Sequence, residues 1–359
     1  MSQIDSETID VRAGEELDPT RLMSWLRDNL ANLDGEITTR QFGGGHANLT
    51  YLISSENNVE YVLRRPPLGK VAKSAHDMAR EHRVLKNLWR SFPLAPRSLL
   101  HCDDVDLIGA EFHIMQRKSG IGIRGEKEGS LLQDRLMAKR IGEMLIDTLA
   151  ALHTCDINKA GLSELGNPEG FMQRQVEGWS RRWHNSIYAD SPKADSLIDW
   201  IHKHRPPTQL IGLVHNDYKL DNLLVDATNP SVATAVLDWD MCTRGDVLSD
   251  LGTLLNYCVS ENEPAMHRLA MGREPQFPGY SSHREMIHQY ARLTGIDCQV
   301  LGWYRVFAAF RTATILQQIF IRWIQGQTRD QRFSKFDQRI TALIAMAKSL
   351  CELHKIEIT

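Results

Sequence analysis

Paired cysteines are absent from this sequence. The chain has 359 residues and six cysteines, and no two of the cysteines form a C-x-x-C pair. Scattered single cysteines argue against a zinc site or a disulfide framework, and they are typical of reduced thiols in a cytoplasm. We therefore expect a cytoplasmic protein.

Long apolar runs and a strong charge of one sign are missing as well. The most apolar stretch, residues 306–324, is interrupted by two arginines and two glutamines, so it predicts a buried helix and not a membrane span. The acidic N-terminus lacks the apolar stretch of a signal peptide. A formal net charge of -3 gives no basic field for nucleic acid or an anionic membrane. We expect neither as a partner.

What the sequence does contain is a change of pattern, from strands to helices. Residues 1–15 are predicted to be disordered, and Asp18 with Pro19 predicts the start of a helix. Alternating residues then predict the small strand-rich part. Its strands are expected at 37–42, 49–54, 59–65 and 110–116, with a helix at 75–89.

The rest of the chain is predicted to be mainly helical. Residues 117–120 read as a hinge, Ser130 with Gln133 predicts a capping box that opens a helix to His153, and Asn167–Pro168 predicts the start of another to Trp183. The fold class expected is α+β: a two-lobed, protein-kinase-like fold. Its small antiparallel-sheet lobe would span residues 1–117 and its helical lobe residues 118–359.

The most informative motif lies in the second part. His215, Asp217 and Asn222 form H-x-D-x-x-x-x-N, and Asp238 follows Asn222 by sixteen residues after an apolar strand. This is the arrangement of the catalytic loop and metal-binding aspartate of kinases. Asp217 would accept the proton of an attacking hydroxyl, Asn222 and Asp238 would bind Mg²⁺ with oxygen atoms, and His215 would hold the loop by hydrogen bonds.

The first part supplies candidate groups for binding ATP. Alternation in the third strand places Arg64 where kinases carry a phosphate-binding lysine, and Glu81 on the next helix is its expected ion-pair partner. Backbone N–H groups of Gly43, Gly44 and Gly45 would cover the phosphates. Met115 to Arg117 would form the hinge strand that binds adenine.

Several segments together resemble a known family. They are residues 44–51, 61–67, 75–85, 174–179, 213–225 and 245–252. The chain resembles the aminoglycoside phosphotransferase and choline kinase superfamily, and more closely the kinase-like domain fused ahead of some acyl-CoA dehydrogenases and its free-standing bacterial relatives. The resemblance implies that arginine is the expected residue at position 64. It also implies hydroxyacyl-CoA metabolism.

One departure from the family and one short span bear on what this resemblance implies. Asn216 stands where the family usually has glycine, which predicts slightly different backbone geometry in the catalytic loop. The span from Asp238 to Asp250 leaves no room for the long activation segment of a protein kinase, so a small-molecule acceptor is expected. Asp246 and Asp250 are expected to bond around the catalytic loop and to start the next helix.

Charge around the last long helices bears on the acceptor. Residues 303–339 contain seven basic and two acidic residues, with Arg181 and Arg182 nearby, which favours an anionic acceptor such as a hydroxyacyl-CoA or a hydroxy acid. Solvated surface arginines are the alternative. Arg311 lies among apolar residues and should have a partner, either a core carboxylate or a substrate anion. Arg311 is therefore a candidate substrate contact. Tyr304 is a second candidate, for which a core aromatic is the favoured interpretation.

The function expected is transfer of the γ-phosphate of Mg-ATP to a hydroxyl of a small, anionic metabolite. An aminoglycoside-type antibiotic kinase is an alternative in the same reaction class, and a regulatory nucleotide-binding pseudokinase is one in a different class. The sequence leaves the oligomeric state open, with a homodimer as one option.

Overall fold

The first part of the chain forms a six-stranded antiparallel sheet. The computed structural model describes residues 7–43, 48–67, 77–260, 263–272, 280, 282–328 and 330–357. Neighbouring strands follow the order β1-β2-β3-β4-β6-β5. The strands are β1 (Thr8–Ile9), β2 (Ile37–Phe42), β3 (Leu49–Ser55), β4 (Glu60–Arg65), β5 (Ser98–Cys102) and β6 (Phe112–Gln116). The four strands predicted from the sequence are confirmed, and β1 and β5 are added to them.

Three helices accompany this sheet: α1 (Pro19–Asn29), α2 (Met78–Leu88) and α3 (Val105–Ile108). Helix α1 starts as predicted, because the Asp18 carboxylate accepts a hydrogen bond from the Thr20 N–H at 2.9 Å. Asp77 caps α2 in the same way. The start predicted for α2, at residue 75, lies outside the described residues. Helix α2 packs against β5 and β6 and thereby brings its buried Glu81 under the sheet.

The second part is mainly helical, as predicted. Two small antiparallel sheets carry the motif loops, one with the order β10-β9-β7 and one that pairs β11 with β8. Their strands are β7 (Ile121–Gly122), β8 (Ile211–Val214), β9 (Leu223–Val225), β10 (Ala233–Val236) and β11 (Thr243–Asp246). The helices are α4 (Glu126–Gln133), α5 (Arg135–His153), α6 (Phe171–His184), α7 (Asp195–Lys203), α8 (Leu248–Tyr257), α9 (Ala265–Ala270), α10 (His283–Thr294), α11 (Leu301–Ile324) and α12 (Phe336–Glu357). One-turn helices occupy Leu220–Asn222 and Gln331–Lys335.

Helix α11 is the central helix of this lobe. It packs against α12, α8 and α6, and Trp303 stacks on Phe307 at 5.5 Å between ring centroids. Its apolar residues therefore belong to a protein core, which confirms the buried helix predicted for residues 306–324. Within the described ranges, every helix is too short or too polar to span a bilayer.

Two helix starts predicted in this lobe are wrong. Ser130 lies inside α4, and the long helix begins only after Asp134, whose carboxylate accepts hydrogen bonds from the N–H groups of Leu136 and Met137. That cap satisfies two backbone donors at once, so it sets the helix start. The helix predicted from Asn167 begins at Phe171 instead. The preceding Gly170 has φ +61°, a left-handed conformation that interrupts a helix.

The disorder predicted for residues 1–15 is wrong where the chain is described. Thr8 and Ile9 pair with Phe42 and Gln41 of β2, so β1 extends the sheet at its edge. The Tyr51 hydroxyl donates to the Glu15 carbonyl at 2.7 Å and holds the segment that follows. Residues 1–6 lie outside the described residues. The prediction failed because it used only the acidic, weakly apolar composition of this segment. The hydrogen bonds that order the segment come from distant parts of the chain.

Candidate active site

The motif loop between β8 and β9 is held in one conformation by buried hydrogen bonds. Asp250 of α8 accepts from the backbone N–H groups of His215 (2.6 Å) and Asn216 (2.9 Å). The His215 ring contacts the Leu237 carbonyl at 2.9 Å, and the Asp217 N–H donates to its Nδ1 at 3.3 Å. The hydrogen bonds expected of His215 and Asp250 around this loop are thus present in the structure.

Asn216 explains how the loop turns. Its φ is +67°, in the left-handed region that glycine adopts readily and that asparagine tolerates better than most side chains. Its side-chain amide also donates to the Met241 carbonyl at 2.9 Å. Asparagine at a family glycine position is therefore compatible with a left-handed turn here.

Asp217 projects from this loop and is bonded by two neighbours. Lys219 Nζ contacts its two carboxylate oxygens at 2.7 and 2.8 Å, and the side-chain N–H₂ of Asn222 donates to Oδ2 at 2.8 Å. Burial lowers the pKa of Lys219, but Tyr257 and the Asp217 carboxylate raise it by more, so its amine stays charged. Sequence reasoning missed Lys219. Its position two residues after Asp217 inside the motif was the available signal.

Asp238 lies after β10 and contacts Arg64, one of the two charged residues predicted in the first lobe. Its carboxylate accepts a hydrogen bond from Arg64, whose Nε lies 3.3 Å from the Glu81 carboxylate. The predicted Arg64–Glu81 ion pair is thus confirmed. Glu81 also contacts His113 Nε2 at 3.3 Å and accepts from the Trp239 N–H at 3.2 Å. Asp238 has φ +70°, so the strand ends there in a tight left-handed turn.

Glu81 joins the two lobes, and its removal should therefore be costly. Burial alone would raise its pKa, but Arg64 and His113 lower that pKa to about 2. We expect Glu81→Gln to destabilise the protein by about 3 kcal/mol, because it removes one partner of a buried ion pair. Urea unfolding at pH 7, followed by tryptophan fluorescence, measures this loss. Glu143→Gln is the matched control, because Glu143 is exposed and pairs with Lys139 at 4.0 Å. This variant should lower the free energy of unfolding by about 0.5 kcal/mol or less.

The same pair predicts a pH dependence. A carboxylate with a lowered pKa stabilises the fold fully above its ordinary pKa, which is 4.5 for Glu81, and that contribution is lost as the pH falls towards 2. The difference between wild type and Glu81→Gln should therefore shrink below about pH 4.5. A difference that stayed constant from pH 7 to pH 3 would show that the charge of Glu81 does not stabilise the fold.

A cleft of about 720 Å³ connects these groups. Its walls combine the charged groups just described with apolar side chains from both lobes. The lining includes Glu7, Phe42, Val62, Arg64, Glu81, Met115, Arg117, Lys219, Asn222, Leu237 and Asp238. The cleft thus brings together all but three of the residues predicted to bind nucleotide or metal. Gly43 is described beside this cleft, next to Phe42, whereas Gly44 and Gly45 lie outside the described residues.

The oxygen donors at one end of the cleft fit a magnesium ion. Asn222 and Asp238 offer an amide oxygen and a carboxylate, which are hard ligands that Mg²⁺ prefers. Burial and the nearby Asp238 raise the pKa of Asp240 to about 7, which indicates crowded negative charge that a divalent cation would relieve. The described residues contain no group of three or more His, Cys, Asp or Glu able to cage a metal. Magnesium usually needs only one or two carboxylates together with substrate phosphates.

The two candidate substrate contacts on α11 differ in position. The Tyr304 hydroxyl donates to the Asp246 carboxylate at 2.6 Å, and the residue is 1% exposed. Tyr304 is therefore a core residue and does not reach the cleft. Asp246 also accepts from the Leu248 N–H at 3.2 Å, at the start of α8, while its printed partners, Leu248 and Tyr304, lie outside the motif loop.

Arg311 has protein partners, but they are not the core carboxylate that was one of its two predicted partners. Its guanidinium donates to the Asn216 carbonyl in the motif loop and lies 5.7 Å from the centre of the Trp179 ring. The expectation of a core carboxylate is wrong, because a backbone carbonyl and an aromatic face satisfy the cation. Arg311 is thereby bonded to the residue that precedes Asp217 in the motif loop.

The other basic residues of this region are not gathered at the cleft. Arg305 pairs with Glu263 at 3.5 Å, and Arg332 pairs with Asp330 on the surface. Arg339 donates to the Ala270 carbonyl, and Arg329 lies outside the described residues. Of the basic residues counted in 303–339, Arg311 bonds to the motif loop, whereas the cation that contacts Asp217, Lys219, was not part of that count.

Fold and site together define a two-lobed, protein-kinase-like phosphotransferase. The chain belongs to the phosphotransferase enzyme family, whose sequence model matches residues 38–286. The chicken acyl-CoA dehydrogenase family member 11 is 30% identical over 316 residues, which are 86% of this chain and 40% of that protein. Its rat counterpart is 30% identical over 337 residues, or 91% and 42% of the two chains. The chain therefore spans well under half the length of these relatives.

Solved structures show the same fold. A crystal structure from Ralstonia eutropha JMP134, of a protein named after the aminoglycoside phosphotransferases, is 28% identical with a TM-score of 0.77, and the match covers 94% of this chain and 99% of that one. The aminoglycoside phosphotransferase APH(4)-Ia, in complex with ADP and hygromycin B, is 14% identical with a TM-score of 0.58, over 91% and 98% of the chains. At that identity the likeness concerns the fold alone.

Proposed function

We propose that this protein transfers the γ-phosphoryl group of ATP to a hydroxyl of a small anionic metabolite, a hydroxyacyl-CoA or a hydroxy acid. One observation carries the proposal: Asn222 and Asp238, from two different loops, line one cleft together with the Arg64–Glu81 pair, and Asn222 donates a hydrogen bond to Asp217. Phosphoryl transfer depends on positioning and charge stabilisation more than on covalent chemistry, and this set supplies both.

Asp217 is the proposed catalytic base. The acceptor oxygen bonds to the γ-phosphorus, the bond from that phosphorus to the bridging oxygen of ADP breaks, and the acceptor proton passes to the Asp217 carboxylate. Lys219 and Asn222 orient this carboxylate through the contacts described above. Lys219 would also place a positive charge near the phosphoryl group during its transfer.

The other residues of the cleft are proposed to bind the nucleotide. Asn222 and Asp238 would hold Mg²⁺, which neutralises charge on the phosphates when bound. Arg64, oriented by Glu81, would bind phosphate oxygens, and Gly43 to Gly45 would cover them. Met115 to Arg117 would contact adenine. In this proposal residues 1–117 form the nucleotide-binding lobe and residues 118–359 the catalytic and acceptor-binding lobe.

An anionic acceptor is supported by two cations close to Asp217. Lys219 contacts that residue directly, and Arg311 bonds to the residue before it. Tyr257 lines the cleft, and Lys219 Nζ lies 5.4 Å from the centre of its ring. A polycationic acceptor would be repelled by this pair of cations. Relatives named as acyl-CoA dehydrogenase family members point to acyl-CoA chemistry as well.

An aminoglycoside kinase is the second candidate. It is favoured by the likeness, at 28% identity, to the Ralstonia protein named after that class. It would require carboxylates facing the acceptor, whereas Lys219 and Arg311, which bond to Asp217 and to the residue before it, are cations.

A panel of acceptors tests the proposal. ATP consumption is followed with Mg²⁺ in the presence of hydroxyacyl-CoAs, free hydroxy acids, aminoglycosides or choline, with the Asp217→Asn variant as the blank. We expect turnover with an anionic acceptor only. Turnover with aminoglycosides or choline would contradict the proposed acceptor class, and bound Mg-ATP without turnover on any acceptor would favour a regulatory nucleotide-binding protein.

A further inference from the structure

His113 of β6 lies directly opposite Arg64 of β4. The two residues are paired in the antiparallel register of these strands, so their side chains leave the same face of the sheet. Helix α2 packs against β5 and β6 and meets both side chains with Glu81. One oxygen of that carboxylate, Oε2, lies 3.3 Å from Arg64 Nε and 3.3 Å from His113 Nε2. The register of the sheet thus brings a second nitrogen to the oxygen that holds Arg64.

The other oxygen of Glu81 is bonded as well. Its Oε1 accepts from the N–H of Trp239, the residue after Asp238, at 3.2 Å. A rotation of the carboxylate would therefore displace its contacts with Arg64 and with Trp239 together. The His113 ring opposes such a rotation, because it is fully buried and bonds to the same group.

A chain of hydrogen bonds sets the direction in which His113 donates. Glu81 is ionised at pH 7, since its pKa is about 2, and a carboxylate only accepts, so His113 Nε2 is the donor of this bond. In a neutral imidazole the other nitrogen, Nδ1, is then an acceptor. The Ser98 hydroxyl lies 3.0 Å from this Nδ1 and donates to it. The Ile114 carbonyl lies farther from the same hydroxyl, at 3.3 Å.

His82 completes this chain at its outer end. Its Nδ1 lies 2.9 Å from the Ser98 oxygen, which accepts from it while the Ser98 hydroxyl donates to His113. Burial is the main reason that the pKa of His82 is lowered to about 4, so at pH 7 its ring is neutral and can carry the N–H that this bond requires. The bonds from His82 to Ser98, from Ser98 to His113 and from His113 to Glu81 then all point the same way.

We propose that His113 is a positioning residue for nucleotide binding: through Glu81 it holds Arg64 in the orientation that binds phosphate, and Ser98 holds His113 in the tautomer that donates. The inference rests on the proposed function in taking Arg64 as a phosphate-binding group. Because His113 is fully buried, whereas Glu81 lines the cleft, His113 acts through that carboxylate and does not touch the nucleotide.

Binding of Mg-ATP and of adenosine, without any acceptor, tests this inference. Both are titrated calorimetrically into wild type, His113→Phe and His113→Gln. Phenylalanine keeps a ring but has no donor, and we expect this variant to bind Mg-ATP about 10-fold more weakly than wild type. Adenosine lacks the phosphates that Arg64 would bind, so its affinity should not change. His113→Gln, whose amide N–H₂ can donate to Glu81, should recover most of the loss.

A smaller substitution tests the tautomer and does not depend on the folding of His113→Phe. Ser98→Ala removes only the hydroxyl, and we expect it to bind Mg-ATP about 3-fold more weakly than wild type. His101→Phe is the matched control. His101 is paired with His113 across β5 and β6, but its Nε2 contacts Glu111 at 3.4 Å. This variant should bind Mg-ATP as wild type does.

Each result leads to a different conclusion. Wild-type affinity for Mg-ATP in His113→Phe would overturn the inference, and in Ser98→Ala it would overturn the role of the tautomer, while the proposed phosphotransferase function would stand. Equal losses for Mg-ATP and adenosine in His113→Phe, with a lower melting temperature, would overturn the inference as well, because they would show a general packing role. Failure of wild type to bind Mg-ATP would overturn the proposed function together with the inference.

Discussion

The Asp217→Asn variant is expected to lose about 10²- to 10⁴-fold in kcat while Mg-ATP binding stays close to wild type. Asparagine keeps the shape of the side chain and can still accept from Asn222 and Lys219, which contact Asp217 at 2.7–2.8 Å. It cannot accept the proton of the acceptor hydroxyl. The effect should therefore appear in the chemical step and not in nucleotide affinity. Steady-state kinetics and calorimetric titration of Mg-ATP separate the two quantities.

A second asparagine substitution controls for the loss of one negative charge. Asp226 follows β9 and accepts hydrogen bonds from the N–H groups of Thr228 and Asn229 in a surface turn. Asp226→Asn should leave kcat near wild type. If Asp217→Asn turned over at the wild-type rate, Asp217 would not be the base. If it lost Mg-ATP binding instead, its role would be in the nucleotide site.

The Asp238→Ala variant is expected to weaken Mg-ATP binding by at least about 10-fold. Even changes outside the direct ligands of a metal commonly cost about 10- to 100-fold in affinity, and Asp238 is proposed to contact the ion itself. It also accepts a hydrogen bond from Arg64, so its loss disturbs the phosphate-binding cation. Calorimetry with Mg-ATP measures the loss. The same titration in EDTA, with ATP alone, should show a much smaller difference from wild type.

The backbone at Asp238 requires its own control. Its φ of +70° is unfavourable for alanine and better tolerated by asparagine. Asp238→Asn therefore separates loss of charge from backbone strain, and it should also bind Mg-ATP more weakly than wild type. Equal losses with and without Mg²⁺ in both variants would contradict a metal-binding role. Wild-type affinity in Asp238→Asn would assign the alanine effect to strain.

The convergence of the site could be predicted because local sequence encodes it. Asp217 and Asn222 share one loop between apolar strands, and Asp238 ends the strand that pairs with β9, so strand pairing alone brings the three together. The ion pair between Arg64 and Glu81 could be predicted as well. The alternation of side chains along β4 placed Arg64, and the next helix carries Glu81. Lys219 carried the same kind of signal but was overlooked.

Other features depend on contacts that a linear reading does not contain. Strand β1 exists because Thr8 and Ile9 pair with β2, more than thirty residues away. Arg311 was expected to meet a core carboxylate or a substrate anion, and only the folded chain brings the Asn216 carbonyl and the Trp179 ring to it. The count of basic residues in 303–339 overstates the positive charge near Asp217, because Arg305 pairs with Glu263 and Arg332 pairs with Asp330. The number of charged residues in a segment does not show where their side chains point, because packing of the folded chain determines that.

The central claim is that phosphate moves from ATP to an acceptor hydroxyl. ATP carrying ¹⁸O on its γ-phosphoryl group, incubated with the protein, Mg²⁺ and the anionic acceptor that supports turnover, tests it by mass spectrometry. The account predicts that the acceptor gains a labelled phosphoryl group with wild type and does not with Asp217→Asn. Label found only in inorganic phosphate, with the acceptor unchanged, would show that the cleft hydrolyses ATP and would contradict the account.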